Sequence, residues 1–427
     1  MAQKIFFRFF FIYLLLHVLS WPFFEGIPLL GLIDQGKNYV IDLAVSGFNN
    51  YVVHFQDELV PLNGSGDTSF GWVQLQLYLF LALLGTVVWS AIDSKRNSYY
   101  RADYYMKTTL RYFIACISFT YGSIKIVAMQ MPFPSLSDMA TPMGDFLPMR
   151  FSWHFIGYST LYQVFSGIAE VLVGLLLLYR RTVTLGLFIG LGVYVNVMMI
   201  NLAYDVPVKI FSTHMVIMCL YLLITDARRL LNFFILNRPA MQNVQYHFVP
   251  SKKSRKIFRW VSKGAFLAQS AFVFISVYGY YKEDLANAQK EVKPIPYGLY
   301  EVSTFVKNGD TLPVLANDSL AWKDFIFERG GWNYATVNSR DTLFKRQYGR
   351  GSFYYSADTL KNSLVCYKFN KGDSVYMFTL NYRLHNKDNV ELWTKIKSDS
   401  IYINLTRSKR KFIMSQKQFH WLSEYNR

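Results

Sequence analysis

Apolar positions run almost continuously through the first two thirds of the chain, then alternate with polar ones from about Tyr281 onward. A helix needs about 20 mainly apolar residues to cross the ~30 Å hydrocarbon core of a bilayer. Seven segments predict such helices: residues 5–23, 72–92, 109–129, 155–179, 182–203, 208–225 and 260–281. The first follows Lys4 and contains Arg8, the charge placement of a secretory signal. Trp21-Pro-Phe-Phe24 lacks the small residues of a cleavage site, so the segment reads as a retained helix. Beyond Tyr281 the period shortens to two. Residues 298–306, 363–369, 374–383, 389–397 and 400–407 predict strands. Hairpin signals follow or separate them at Asn308-Gly-Asp310, Lys371-Gly-Asp373, His385-Asn-Lys-Asp388 and Ser398-Asp399. The expected fold is an α-helical transmembrane bundle followed by an antiparallel β barrel or sandwich. Phe419-His-Trp421 reads as an aromatic anchor closing that barrel.

Charge adds a direction. The 427 residues carry 45 Lys and Arg against 28 Asp and Glu, a net +17, yet only 17 % of positions are charged. Soluble domains usually reach about 25 %. Disorder, collagen-like repeats and disulfide scaffolds are excluded. The basic residues gather after the second predicted helix (Lys95 to Arg111), at Arg180-Arg181, and from Arg228 to Arg259. The alternate loops, 24–71 and 130–154, hold one Lys (Lys37) and one Arg (Arg150). Lys and Arg resist translocation, so the pattern predicts a cytoplasmic N-terminus and an outward C-terminal domain. In a bacterium this means the inner membrane with a periplasmic β domain. The lipid bilayer is the expected partner, its anionic head groups matching the basic loops. No nucleic-acid-binding motif accompanies the charge, so nucleic acid is not an expected partner. Three cysteines without a Cys-x-x-Cys exclude thiol–disulfide relay chemistry. Cys366, in a strand-like run, reads as a small buried apolar residue.

Candidate chemistry lies among the polar groups inside the apolar segments. Such groups are costly in hydrocarbon and tend to pair or to line a path. Glu170 sits in the middle of the fourth predicted helix, and its partner must come from another helix. Lys125 lies near the outer end of the third. Asn201, Tyr204, Asp205 and Lys209 surround the short outer turn before the sixth, and His214 follows one turn into it. The outer loops add Asp67, Gln130, Asp145 and His154. By the predicted orientation all belong to the outer half of the membrane, where one polar pocket could form. Each also has a structural reading: snorkelling for Lys125, helix N-capping for Asp205, packing for His214, and a buried hydrogen-bonded acid for Glu170. Gly186 and Gly190 form Gly-x-x-x-Gly, a spacing that allows close helix packing. No residue pattern predicts a metal site. His17, His154 and His214 have the right chemistry for haem ligation, but their expected depths differ and haem is not expected.

The segment from Leu110 to Lys125, with Arg111 at its inner end and Gly122-Ser-Ile-Lys125 near its outer end, resembles the opening helix of the DoxX family. The segment Gly167-Ile-Ala-Glu170-Val-Leu-Val-Gly174 resembles that family's second helix, and residues 182–203 and 208–225 complete a four-helix unit. Flanking patterns (Gly64-Ser-Gly-Asp-Thr68, Gln130-Met-Pro-Phe-Pro134, Tyr204-Asp-Val-Pro-Val-Lys209 and the stretch from Phe419 to Arg427) look like a larger bacterial subfamily with extra helices and a C-terminal β domain. The implied domains are 1–107, two helices with a long outer loop; 108–230, the DoxX-like core; 231–282, a basic loop and the last helix; and 283–427, the β domain. Some DoxX-family members are subunits of a membrane thiosulfate:quinone oxidoreductase, and related MauE proteins assist maturation of a periplasmic redox enzyme. Three roles are therefore open. The chain is expected as a non-catalytic subunit or assembly factor docking a periplasmic or membrane protein through its β domain. The alternatives are a quinone-linked oxidoreductase subunit using the Lys125, Glu170 and His214 region, and a carrier of a small or lipidic ligand.

Overall fold

A computed structural model describes residues 2–23, 29–62, 66–93, 96, 98–240, 252–290, 293–313, 322–329, 333–339, 341, 343–347, 349–370, 373–396, 398–416, 420–422 and 424. Every apolar segment read from the sequence is helical. They correspond to α1 (Ala2–Ser20), α3 (Ser69–Ile92), α4 (Tyr100–Ile126), α7 (Thr160–Leu178), α8 (Val183–Ala203), α9 (Lys209–Ile224) and the 39-residue α11 (Lys252–Lys290). Among the described residues, α1, α3, α7 and α8 are long and apolar enough to cross a membrane. A fifth span arises if α9 and the short α10 (Ala227–Phe234), bent by 78°, count as one. The more polar α4 and α11 do not meet that measure. The chain is a multi-pass membrane protein.

Two stretches expected as outer loops contain helices. Residues 24–71 include α2 (Gly31–Phe48), which runs into a π-helical turn at Asn49–Val53. Asp34, Lys37 and Asp42 keep α2 too polar to span, yet Leu32, Ile33, Tyr39, Val40 and Leu43 stand exposed on it. Residues 130–154 include α5 (Leu136–Ala140), and α6 (Pro148–Tyr158) follows; the fourth predicted span is accordingly broken at Ser159, between α6 and α7.

The chain divides into two compact units, one formed by Met1–Val127 with Leu161–Ile275, the other by Ala128–Thr160 with Ser276–Arg427. In the first, α1 packs on α3 and α4, α8 packs on α9, and α9 packs on α4. Arg8, read from sequence only as a flanking charge, is buried. It donates to Tyr99 Oη, to Ser90 Oγ at 2.6 Å and to the Asp93 carbonyl at 2.9 Å, and stacks on the Tyr99 ring. Its donors thus join α1 to the end of α3 and the start of α4. Gly186 meets Leu176 and Gly190 meets Val173, so the Gly-x-x-x-Gly face of α8 does lie close against α7.

The second unit is built on a closed antiparallel barrel of eight strands: β1 (Gly298–Lys307), β3 (Asp324–Phe327), β4 (Tyr334–Val337), β6 (Arg350–Asp358), β7 (Ser363–Asn370), β8 (Asp373–Leu384), β9 (Asn389–Ile396) and β10 (Asp399–Arg407). The short β2 (Asp310–Leu312) pairs with β1, and β5 (Lys345–Gln347) with β6. Closure comes from the β1–β10 ladder, which runs from Tyr300 opposite Arg407 to Lys307 opposite Ile401 with a bulge between Val302 and Thr304. In β10, Ile401, Ile403 and Leu405 face inward and are buried. Asn308 (φ 54°) and Gly309 (φ 93°) supply the left-handed pair that a two-residue hairpin turn requires. The lumen is filled: Tyr300, Phe305, Trp322, Phe325, Phe327, Phe353 and Phe378 are all fully buried, and Cys366 lies among them. Trp421 is 91 % exposed, which corrects its expected role as a barrel anchor; Phe419 lies outside the described residues.

Trp322 is the largest fully buried side chain among the described residues. Trp322→Ala should lower stability by about 3–5 kcal/mol, whereas Trp421→Ala should leave it unchanged. Thermal unfolding of the full-length protein in detergent, followed by circular dichroism in the β region, distinguishes the two.

Candidate functional site

The candidate polar groups of the bundle fall into three sets, each placed by its own helix contact. The first depends on glycine. A Cβ at Gly122 of α4 would lie 2.8 Å from the Gly167 carbonyl oxygen of α7, and one at Gly167 would lie 2.7 Å from the Gly122 carbonyl oxygen. No larger residue permits this backbone contact. One turn further on, it brings Lys125 against Glu170 in a hydrogen-bonded ion pair with both side chains buried, 8 % and 3 % exposed. Tyr121 and Tyr194 are electrostatic neighbours of Glu170. Ser118 Oγ donates to the Ile114 carbonyl at 2.7 Å, so in its 2.5 Å contact with Tyr194 the phenol is the donor. Glu170 Oε2 has no hydrogen-bond partner among the described residues.

The second set caps α9. Asp67 accepts from the backbone N–H groups of Lys209 at 2.7 Å and Ile210 at 3.0 Å. A carboxylate there satisfies orphan donors and meets the positive end of the helix dipole. This corrects the N-cap reading of Asp205. That residue is left-handed (φ 52°), 79 % exposed at its side chain, and bound at 2.7 Å by Lys209, whose amine lies 3.8 Å from Asp67. Tyr204 ends α8 half-exposed, and Asn201 is buried with its Nδ2 unpartnered among the described residues.

The third set surrounds His214. Its Nδ1 lies 2.6 Å from the Ile210 carbonyl, which only accepts, so Nδ1 carries the proton and Nε2 accepts from Tyr13 Oη at 2.7 Å. The His17 ring lies 3.8 Å from that of His214, with the Tyr78 ring edge-on to His17. His17 and His214 are therefore at the same depth, contrary to expectation. The cavity described in the bundle is lined by none of the three sets.

Gln130 belongs to the other unit, as does a cluster that the sequence reading passed over except for His154. Ser135 and Asp138 form a reciprocal capping box on α5. Asp138 also accepts from Arg150 at 3.2 and 3.3 Å, and His154 Nε2 lies 3.3 Å away without hydrogen-bond alignment. Burial opposes the Asp138 charge, but His154, Arg150 and Ser135 outweigh it and hold the carboxyl well below the usual carboxylate range. Beside Asp138, the Ser137 amide donates to Glu328 at 2.7 Å and its hydroxyl bonds Thr336 on β4 at 2.7 Å; Arg350 on β6 donates to the same Thr336. The Ser-x-x-Asp spacing that opens α5 was the readable signal. A cleft of about 490 Å³ lies here, bordered by Phe133, Trp153, Tyr297 and Arg329.

The chain is similar to the uncharacterized protein YwoB of Bacillus subtilis (strain 168), 36 % identical over 126 residues, which are 30 % of this chain and 80 % of that protein. No family model matches the chain, and no solved structure matches it significantly.

Removing one member of the buried pair leaves the other uncompensated. Glu170→Gln or Lys125→Met alone should cost about 3–5 kcal/mol, while the double Lys125→Met/Glu170→Leu variant should fall within about 2 kcal/mol of wild type; melting in detergent measures all three. Asp138 titrates lower in the folded protein than in the unfolded chain. Its contribution is thus complete above the ordinary carboxylate pKa and is lost as pH falls through the lower folded value. The α5–barrel junction should loosen on acidification below about pH 4, and Asp138→Asn should flatten that acid dependence. Amide exchange at Ser137 against pH checks it.

Proposed function

The chain belongs to the family of B. subtilis YwoB, and from that premise we propose that it is a DoxX-like membrane subunit or assembly factor that is not itself catalytic and docks a partner at the periplasmic face through its barrel. One observation carries this reading: the membrane groups with the chemistry for catalysis are engaged in separate sets. Lys125 is bound to Glu170, Lys209 to Asp205 and near Asp67, and His214 to Tyr13 and Ile210. Supporting the DoxX-like core, Gly122, Lys125, Gly167 and Glu170 form one contiguous contact between α4 and α7. Supporting a docking role, the barrel lumen is filled, so its available surface is external, where Val365, Tyr376 and Trp393 stand exposed on the adjacent strands β7, β8 and β9. Supporting the orientation, the segment between α4 and α7, poor in basic residues, is hydrogen-bonded to the barrel through Ser137. Both belong to one compact unit, in keeping with the common side that the charge pattern predicts for them.

A second reading, a quinone-linked or ligand-carrying subunit, is favoured by the unpartnered Glu170 Oε2 and Asn201 Nδ2, which a bound carbonyl or hydroxyl would satisfy. A photo-crosslinking residue at Tyr376, introduced in the full chain in intact cells, should yield one discrete protein adduct at the outer face. Protein purified gently from the same membranes should carry quinone well below one per chain. Stoichiometric quinone that is lost on Glu170→Gln, with no adduct, would replace the first reading by the second.

A further inference from the structure

The end of the bundle bearing the basic loops contains a cavity of about 380 Å³, formed by the first turns of α4, the start of α8 and the end of α9. Three cations line it: Lys107, Arg111 and Arg180. Two acids line it as well, and both have cationic partners. Asp103 pairs with Lys107 at 2.5 Å, and Asp226 pairs with Arg229 and accepts from Thr184 at 3.4 Å. Arg111 and Arg180 are in neither ion pair, and Tyr112 is a side-chain hydrogen-bond partner of Arg111. The Arg111 Nε is buried and has no hydrogen-bond partner among the described residues, and its guanidinium lies against the Tyr112 ring, 5.0 Å from the centroid. Arg180, which donates to Tyr104 Oη at 2.9 Å, is a like-charged electrostatic neighbour. Two guanidinium groups brought to one concavity repel each other, and an anion between them reverses the sign of that interaction. Arginine's planar fork matches phosphate oxygens bidentately. Val183, Leu187, Leu222 and Leu223 add apolar surface to the lining. A pocket between helices of the bundle that combines guanidinium groups with apolar lining has the chemistry of a lipid head-group site.

We propose that this cavity binds a phosphate-ester anion through Arg111 and Arg180, and that the form it takes is an anionic phospholipid whose glycerol side rests on Leu187 and Leu222. The site is separate from the Lys125–Glu170 pair, which lies toward the other end of α4.

The full-length protein is reconstituted in phosphatidylcholine nanodiscs with and without phosphatidylglycerol, and retained lipid is counted by native mass spectrometry alongside the thermal midpoint. Phosphatidylglycerol should be retained and should raise the midpoint in wild type. It should do so equally in Arg181→Gln, which removes an exposed charge next to the site. Retention should fall about tenfold, or ~1.4 kcal/mol, in the Arg111→Gln/Arg180→Gln variant. Should that variant not fold, Arg111→Lys, which keeps the charge and loses the fork, should still show reduced retention. Inorganic phosphate added to the phosphatidylcholine sample separates the sources. An equal midpoint rise with phosphate alone, dependent on the same arginines, would keep the anion site and overturn its lipid form. Retention of phosphatidylglycerol that is unchanged in the arginine variants, or no response to either anion, would overturn the proposal.

Discussion

The backbone contact between α4 and α7 at Gly122 and Gly167 is the constraint on which the bundle's polar interior depends. Helices usually stand 8–10 Å apart because side chains separate them. Here each glycine carbonyl occupies the space of the other's missing Cβ. At this spacing, the Lys125 amine reaches Glu170 without either group meeting water or lipid. With the helices pushed apart by a methyl group, both charges would be buried and only weakly paired, a costly state in hydrocarbon. Gly174 extends the seam, since a Cβ there would stand 3.1 Å from the Ala115 carbonyl. Glycine and ion pair are thus one device: the first sets the distance that the second requires.

The barrel unit solves a related problem with capping groups. Its α5 is a helix of only five residues, too short to persist alone. The Ser135–Asp138 box satisfies its first donors, Arg150 and His154 hold Asp138 ionised, and Ser137 fixes the turn to Glu328 and Thr336. Nearby, Gly349 (φ 84°) places the turn before β6 against Thr141 and Asp145, where a Cβ would stand 3.0 Å from either side chain. The segment after α4 is in this way part of the barrel's own fold.

Legibility in the sequence followed the reach of each interaction. Strands β7 to β10 were readable almost to the residue, because an alternating pattern and Asn, Asp or Gly turns are local properties. Strands β3 and β4 were not: four residues, Asp324–Phe327 and Tyr334–Val337, are too few to display a period. Helix α2 escaped because its apolar residues are interrupted by Asp34, Lys37 and Asp42, which spoil a membrane span without spoiling a helix. The sequence marked Lys125, Glu170, Asp67 and His214 as unusual, and it could say that Glu170 needed a partner on another helix. It could not say which. Nor could it tell that Asp67, 142 positions away, rather than the adjacent Asp205, would cap α9.

Those long-range choices explain why a membrane bundle retains such residues. Apolar side chains bury as well against lipid as against one another, so they do little to select which helices pack together. The polar contacts supply the selection. Arg8 joins α1 to the end of α3 and the start of α4; Tyr13 and His214 join α1 to α9; Asp67 joins the stretch before α3 to the start of α9; Lys125 and Glu170 join α4 to α7. Each contact is specific to its positions, and a wrong pairing would leave a donor or charge unsatisfied in hydrocarbon. Residues that first read as candidate chemistry also serve, in these contacts, as fastenings of the helix bundle. Chemistry at such a site would have to begin from the few atoms the fastenings leave open, Glu170 Oε2 and Asn201 Nδ2 among them.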